Sequence, residues 1–383
     1  MTKNIKIVLI LLLASFQMNF AQDAKFDSLV TKGIKEIYNI QFDKAKETFD
    51  LVQKEYPNHP AGKFFSAMII WWKITLDRDN ETYDEIFEDR LEEVIDFCDE
   101  ILDDDPKNVD AIFFKGGALG FRGRLYALRK EWFNAALDGK DALPLVFEAY
   151  KIDPTNEDVK LGFGIYNYYA ESIPEKYPFI KPAMVFFPNG NKSKGIEQLK
   201  IAAKKAKYAG IEARFFLMTL YYQFEEDYTE SLVYAKPLHE DFPNNPIFEK
   251  YYGRLFVKKG NYKKAAKIFS SINKKCNSAY NGYNKKLKRE AVYYIGNNFY
   301  MQGKLDSAKK YFTECEKLSK KVDVDLDEES GFLINAALYV GMINDRLGLR
   351  NEAIKKYKQV LSYREYGNSH KKAKKYLKKA RKP

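Results

Sequence analysis

Between residues 249 and 320, small and aromatic residues stand out of a polar background at one spacing, used twice. Gly253 is followed by Ala265, Phe269 and Ile272; Gly296 is followed by Ala308, Phe312 and Cys315. Both runs read glycine, then a small residue at +12, a ring at +16 and a small apolar residue at +19. Apolar positions three and four apart fall on one face of a helix, so each run predicts a helix that ends beyond its glycine and a second helix carrying the later three positions. A glycine on the first and a small residue on the second let two helices of a hairpin approach closely. Internal repeats of about 34 residues signal stacked supersecondary units.

The same order recurs along the chain. Residues 26–60 give Gly33, Ala45, Phe49, Val52 and Pro57; residues 210–243 give Met218, Tyr222, Ser231, Ala235, Leu238 and Pro243; further on come Gly341, Ala353, Tyr357 and Val360. This order resembles the tetratricopeptide repeat, whose motif sets a small residue, an Ala, an aromatic, a small residue and often a Pro in that succession. The resemblance implies an all-α fold: a TPR-like solenoid of helical hairpins, an α-α superhelix of about eight repeats. Two units are expanded. Residues 61–108 show an apolar face at Phe64, Phe65, Met68, Ile69 and Trp72, an enlarged turn at 77–82, then Val94, Cys98, Ile101 and Pro106. Residues 110–154 align Gly117 with Ala142, Val146, Ala149 and Pro154, which reads as an insertion between the two helices.

The fourth unit departs most from the motif. A helix over 158–171 is followed by Pro174, Pro178, Pro182 and Pro188 among Tyr177, Phe179, Phe186 and Phe187, before Gly195, Leu199 and Ala202 resume the second helix. Four prolines forbid one uninterrupted helix. Apolar residues this dense in a connection need a cover, so the insertion is expected either to plug the groove of the array or to close over it as a lid built on Tyr177, Phe179, Phe186 and Phe187.

Length and composition agree with an array. A chain of 383 residues exceeds what one core usually serves, no Gly/Ser-rich linker divides it, and 45% hydrophobic content with 28 Tyr and 28 Phe supports packed helices. The N-terminus reads as an export signal: Lys3 and Lys6, an apolar run over 7–16, and Asn19-Phe20-Ala21 as a cleavage site. That run is shorter than the roughly 20 residues a membrane span needs. The expected organisation is a signal peptide over 1–21, repeats over 22–157, the interrupted repeat over 158–209, repeats over 210–367 and a basic capping helix over 368–383. The destination is expected to be the periplasm, with the extracellular space as the alternative.

The net charge of +11 changes meaning once it is placed. Lys3 and Lys6 belong to the signal, and Lys371, Lys372, Lys374, Lys375, Lys378, Lys379, Arg381 and Lys382 crowd the last helix, which leaves the body nearly neutral. No continuous basic face follows, so nucleic acid is not an expected partner. A solvated cap explains the basic helix better than contact with an anionic membrane.

Chemistry finds little footing. Three cysteines, Cys98, Cys276 and Cys315, cannot form a disulfide framework. Asp103-Asp104-Asp105 reads as a solvated helix end. Asp323, Asp325 and Asp327 mimic a calcium loop but meet Glu328 where glycine is required and Ile334 where a bidentate Glu is required. Gly116, Gly117, Gly120 and Gly123 lie in a helical pattern, so close helix packing explains them better than a phosphate loop. His59, His239 and His370 join no catalytic motif. The sequence thus points to no catalytic, metal or cofactor site. The expected function is a non-catalytic exported scaffold that binds a protein or peptide in a groove lined by first helices, with Lys35, Lys63, Asn167, Tyr221, Arg254 and Asn297 as candidate groove residues. The alternative is a glycan or lipid carrier built on the aromatic insertion.

Overall fold

The structure, a computed structural model, describes residues 24–178, 181, 188–324 and 328–380. Among them there are 17 helices and no strand. They fall into two compact units, the first ending at Leu220 and the second beginning at Tyr221. Phe179, Phe186, Phe187, Asp325 and Asp327 lie outside the described residues, as do residues 1–23, which include the expected signal peptide over 1–21.

The first unit holds α1 (24–38), α2 (Phe42–Glu55), α3 (Ala61–Leu76), α4 (Asp84–Asp104), α5 (Val109–Leu128), α6 (Trp132–Ile152), α7 (Val159–Lys176), α8 (Lys192–Lys205) and most of α9 (Gly210–Gln223). The second holds α10 (Tyr228–Asp241), α11 (Pro246–Lys258), α12 (Tyr262–Asn277), α13 (Lys285–Met301), α14 (Leu305–Val322), α15 (Gly331–Arg346), α16 (Arg350–Ser362) and α17 (Ser369–Lys378). Within each unit, helices consecutive in sequence pack as pairs.

Local chemistry sets the helix starts. The side chains of Asn108, Asn191, Asp227, Asn245, Asn261, Asn284 and Ser330 each accept a hydrogen bond from a backbone N–H in the first turn of α5, α8, α10, α11, α12, α13 and α15. These groups have no partner inside the helix. The turns between paired helices repeat as well: Gly260, Gly303 and Gly348 take φ of 71°, 73° and 76° in the second unit, where a side chain would be strained.

The repeated glycine does a different task from the one its spacing suggests. Its missing side chain makes room for the aromatic ring at +16: a Cβ at Gly253 would lie 3.0 Å from Phe269, at Gly296 3.2 Å from Phe312, and at Gly33 and Gly341 2.4 and 2.7 Å from Phe49 and Tyr357. All four rings are fully buried, as are Ala45, Ala308 and Ala353. A fully buried aromatic is worth several kcal/mol to the core, and the glycine is what admits it.

Three expectations need correction. The third unit has no insertion between its helices: α5 and α6 are 20 and 21 residues long with a short turn between them, so the extra residues lengthen both helices. Its close-approach glycine is Gly116, whose Cβ would meet Leu145 at 3.2 Å and the Ala142 carbonyl at 3.6 Å, whereas Gly117 faces Phe64. Finally, α7 runs through Pro174 to Lys176; the proline falls in the last turn, where it removes one i−4 hydrogen bond just before the helix ends.

In the fourth unit the backbones of α7 and α8 nearly touch. A Cβ at Gly195 would lie 2.6 Å from the amide nitrogen of Tyr168 and 2.8 Å from the carbonyl of Gly164, both rigid backbone. Gly195→Ala is therefore expected to cost about 1–3 kcal/mol, as overpacking of a tight crossing does. Urea denaturation checks this; an unchanged midpoint would mean that the crossing is looser than described. The last helix acts as a cap: Ala373 is buried, Tyr376 packs 5.8 Å from Tyr357, and Arg350 donates to the carbonyls of Tyr376 and Leu377 at 2.9 and 2.7 Å. Ala380, beyond the end of α17, is exposed.

Candidate functional site

The sequence of α3, AGKFFSAMIIWWKITL, leaves almost no polar face. A helix that is apolar all round must be covered on every side, and in the first unit the first helices of successive hairpins supply that cover. Trp72 meets Tyr38 of α1 at 4.9 Å and Phe215 of α9 at 5.7 Å; Phe64 meets Phe114 of α5 at 5.2 Å; Phe65 meets Tyr208, just before α9, at 6.1 Å. Thus α1 reaches α9 across the seven described helices between them. The Tyr38 hydroxyl donates to Glu212 Oε2 at 2.8 Å, and the Tyr208 hydroxyl donates to Asp27 Oδ1 at 2.7 Å. The open groove expected from a nearest-neighbour array is here bridged by these contacts between its first and last helices.

One ion pair stands among these contacts. Arg124 Nη1 donates to Glu212 Oε1 at 2.9 Å, and its guanidinium lies over the rings of Trp71, Phe121 and Phe216 at 4.7, 4.7 and 4.6 Å. Glu212 is 5% exposed, so both of its oxygens are satisfied, by Arg124 and by Tyr38. Burial, followed by the charge of Glu212, pushes the Tyr38 hydroxyl well above its ordinary pKa.

The first helices, together with α6, line a partly open cavity of about 280 Å³. Its wall is apolar, with Ile37, Phe65, Met68, Trp71, Phe121 and Val146 among the lining residues, and its charged groups are Arg124, Asp158 and Glu212. Asp158 is buried and spent on the backbone: its carboxylate accepts from the amides of Lys207, Tyr208 and Ala209 at 3.1, 2.8 and 2.7 Å. Five glycines also line the space. Three have a packing reason: Cβ atoms at Gly116, Gly117 and Gly162 would each come to 3.2 Å of a neighbour. Gly120 of α5 and Gly139 of α6 have none, since a Cβ there would meet nothing within 4 Å. Close packing therefore explains Gly116 and Gly117 but not Gly120. A helix-interior glycine gives up about 1 kcal/mol relative to alanine, and at these two positions the return is empty volume in the cavity.

The second unit keeps a half-exposed face on its first helices. Arg254 of α11 donates through Nε and Nη2 to the two carboxylate oxygens of Glu290 on α13, and the pair is flanked by Tyr251, 5.9 Å from the guanidinium, and by Tyr222, whose ring meets Tyr251 at 5.2 Å. Arg254 retains 28% side-chain exposure. Glu290, by contrast, is 4% exposed.

The residues expected to line a groove are scattered by the structure. Lys35 is exposed, Lys63 lies over the Phe97 ring of α4 at 5.4 Å, and Asn167 donates to Gln198 of α8 at 2.8 Å; none of them lines the cavity. Lys63 and Asn167 face second helices, because counting positions along an expanded repeat misjudges the facing. Tyr221 is buried and stacks on Tyr234 at 6.1 Å, and Asn297 is 8% exposed beside Tyr293. Arg254 stands on a first-helix face with a partner, Glu290, on the neighbouring first helix. Tyr177, the described member of the expected lid, is 41% exposed.

Reactive chemistry is poorly served by the described residues. Burial pushes the thiols of Cys98 and Cys315 up to about 12 and that of Cys276 up to about 11, so they are protonated at neutral pH. Among the described residues no group of three or more His, Cys, Asp or Glu is arranged to hold a metal ion. The Asp323 carboxylate is engaged by Arg289 and by the Ser330 amide.

Residues 290–318, within the α13–α14 hairpin, match the tetratricopeptide repeat family. No curated protein matches the chain. Solved structures similar to it include the C-terminal part of a TPR repeat-containing protein from Cytophaga hutchinsonii, 14% identical over 80% of this chain and 98% of that one with a TM-score of 0.37. A tetratricopeptide repeat protein from Parabacteroides merdae is 15% identical over 78% and 95% with a TM-score of 0.30, and the human IFIT1 dimer with PPP-AAAA is 13% identical over 89% and 94% with a TM-score of 0.30. Residues 290–318 thus match a tetratricopeptide repeat, and the same glycine-to-ring seat recurs at Gly33, Gly253, Gly296 and Gly341.

Proposed function

We propose that this protein is an exported, non-catalytic scaffold that binds a protein or peptide partner on the first-helix face of its second unit. The observation that carries the reading is the partly exposed pair of Arg254 and Tyr222, set beside the buried Tyr251 and over the buried Glu290. Arginine and tyrosine are residue types that anchor protein interfaces, because each offers a large apolar area with a directional polar end. The buried Glu290 holds the guanidinium in place before a partner arrives, which lowers the ordering cost of binding. Export, with the periplasm as the destination, rests on the basic and apolar run over 1–21. Among the described residues no helix is long and apolar enough to cross a membrane.

Photo-crosslinking tests the face. A benzophenone amino acid in place of Tyr222 on the first-helix face, and in place of exposed Lys267 on α12, is introduced into the full chain in cells of its source. The expected result is a discrete crosslinked partner from position 222, lost when Arg254 is changed to Ala, and none from position 267. Crosslinking from 267 alone, or from neither position, would overturn the reading.

A further inference from the structure

We infer that the cavity of the first unit is a binding site for an uncharged, single-chain apolar molecule bearing an oxygen at one end. The size of the occupant follows from the volume. At about 280 Å³ the cavity is roughly twice an apolar cavity of about 150 Å³ that admits benzene, so it suits a chain with on the order of a dozen carbon atoms.

Its charge follows from the wall. The two carboxylates are already occupied: Glu212 by Arg124 and Tyr38, Asp158 by three backbone amides. The one lining cation, Arg124, is matched by Glu212. An anionic or cationic end group would enter with no free counter-charge and would lose its hydration. A neutral oxygen fares better, because Nε and Nη2 of Arg124 have no hydrogen-bond partner among the described residues and can donate to it.

The position of the chain follows from the glycines. Gly120 and Gly139 line the cavity from α5 and α6 with open space where their side chains would be, at the expense of helix propensity. A void left by poor packing would gain from alanine or leucine at either place, whereas a ligand site loses its floor. This site lies wholly within the first unit and shares no residue with the proposed partner face, so the two readings fail separately.

Calorimetry on the full chain, with dodecan-1-ol and dodecanoate as probes below their aggregation limits, tests the inference. The wild type is expected to bind one dodecan-1-ol, with dodecanoate weaker by about tenfold or more because its charge is unmatched. Gly120→Leu and, separately, Gly139→Leu are expected to weaken dodecan-1-ol binding by about tenfold or more without lowering the melting temperature, since each side chain enters existing space. Glu212→Gln releases the charge of Arg124 and is expected to shift the preference toward dodecanoate. Absence of dodecan-1-ol binding by the wild type overturns the inference, as does binding undiminished in both leucine variants or equal affinity for the two probes in the wild type.

Discussion

Phe312→Ala is expected to lower the stability of the second unit by about 3–5 kcal/mol, the cost of emptying a fully packed aromatic site. The ring is 0% exposed, is seated on Gly296, stacks on Tyr339 at 4.6 Å and meets Tyr293 edge-on at 5.6 Å, so three helices lose contacts at once. Because the array of this unit couples each hairpin mainly to its neighbours, amide exchange should accelerate in α13, α14 and α15 more than in α10 and α11. Urea denaturation followed by exchange mass spectrometry reads both effects. A loss below about 1 kcal/mol would remove the ring from the core.

In the first unit the largest effect is expected from Glu212→Ala, about 3–5 kcal/mol, the usual result of removing one member of a buried pair. Arg124 would keep its charge among Trp71, Phe121 and Phe216 with no carboxylate, and Tyr38 would lose its acceptor. The rings over the guanidinium soften this loss without replacing the carboxylate, since cation–π contacts of this kind contribute about 0.5–2 kcal/mol. The distribution of the damage is more telling than its size. Position 212 and Tyr38 lie 174 residues apart, so exchange should accelerate in α1 as well as in α9. A strictly nearest-neighbour array would leave α1 untouched.

The hairpins were legible because their signal is local: Gly33 with Phe49, Gly253 with Phe269, Gly296 with Phe312 and Gly341 with Tyr357 all lie within one unit, and each is a direct contact. Even there, spacing suggested that glycine and alanine meet, while the ring is what fills the glycine's space. The third unit was misjudged because added helical turns and an added loop lengthen a repeat equally; the apolar period of α5 and α6 continues through the turn region on both sides, and that continuity was the available cue. The bridging of the first unit left no spacing signature, since Tyr38 and Glu212, or Asp27 and Tyr208, are joined only by the folded chain. It did leave a compositional one: the all-apolar α3 has no side fit for water, and an open groove would have exposed part of it. The cavity was illegible for a simpler reason. Gly120 and Gly117 look alike in sequence, and only the surroundings show that one is packed and the other faces empty space.

The bridging of first helices is the claim on which the site in the first unit depends, and a double-mutant cycle tests it most directly. Tyr38→Phe and Glu212→Gln are made singly and together, and the stability of each protein is measured by urea denaturation. Direct contact at 2.8 Å in a buried setting predicts a coupling of about 0.5–3 kcal/mol between them. Additive effects, within about 0.3–0.5 kcal/mol, would contradict the bridging.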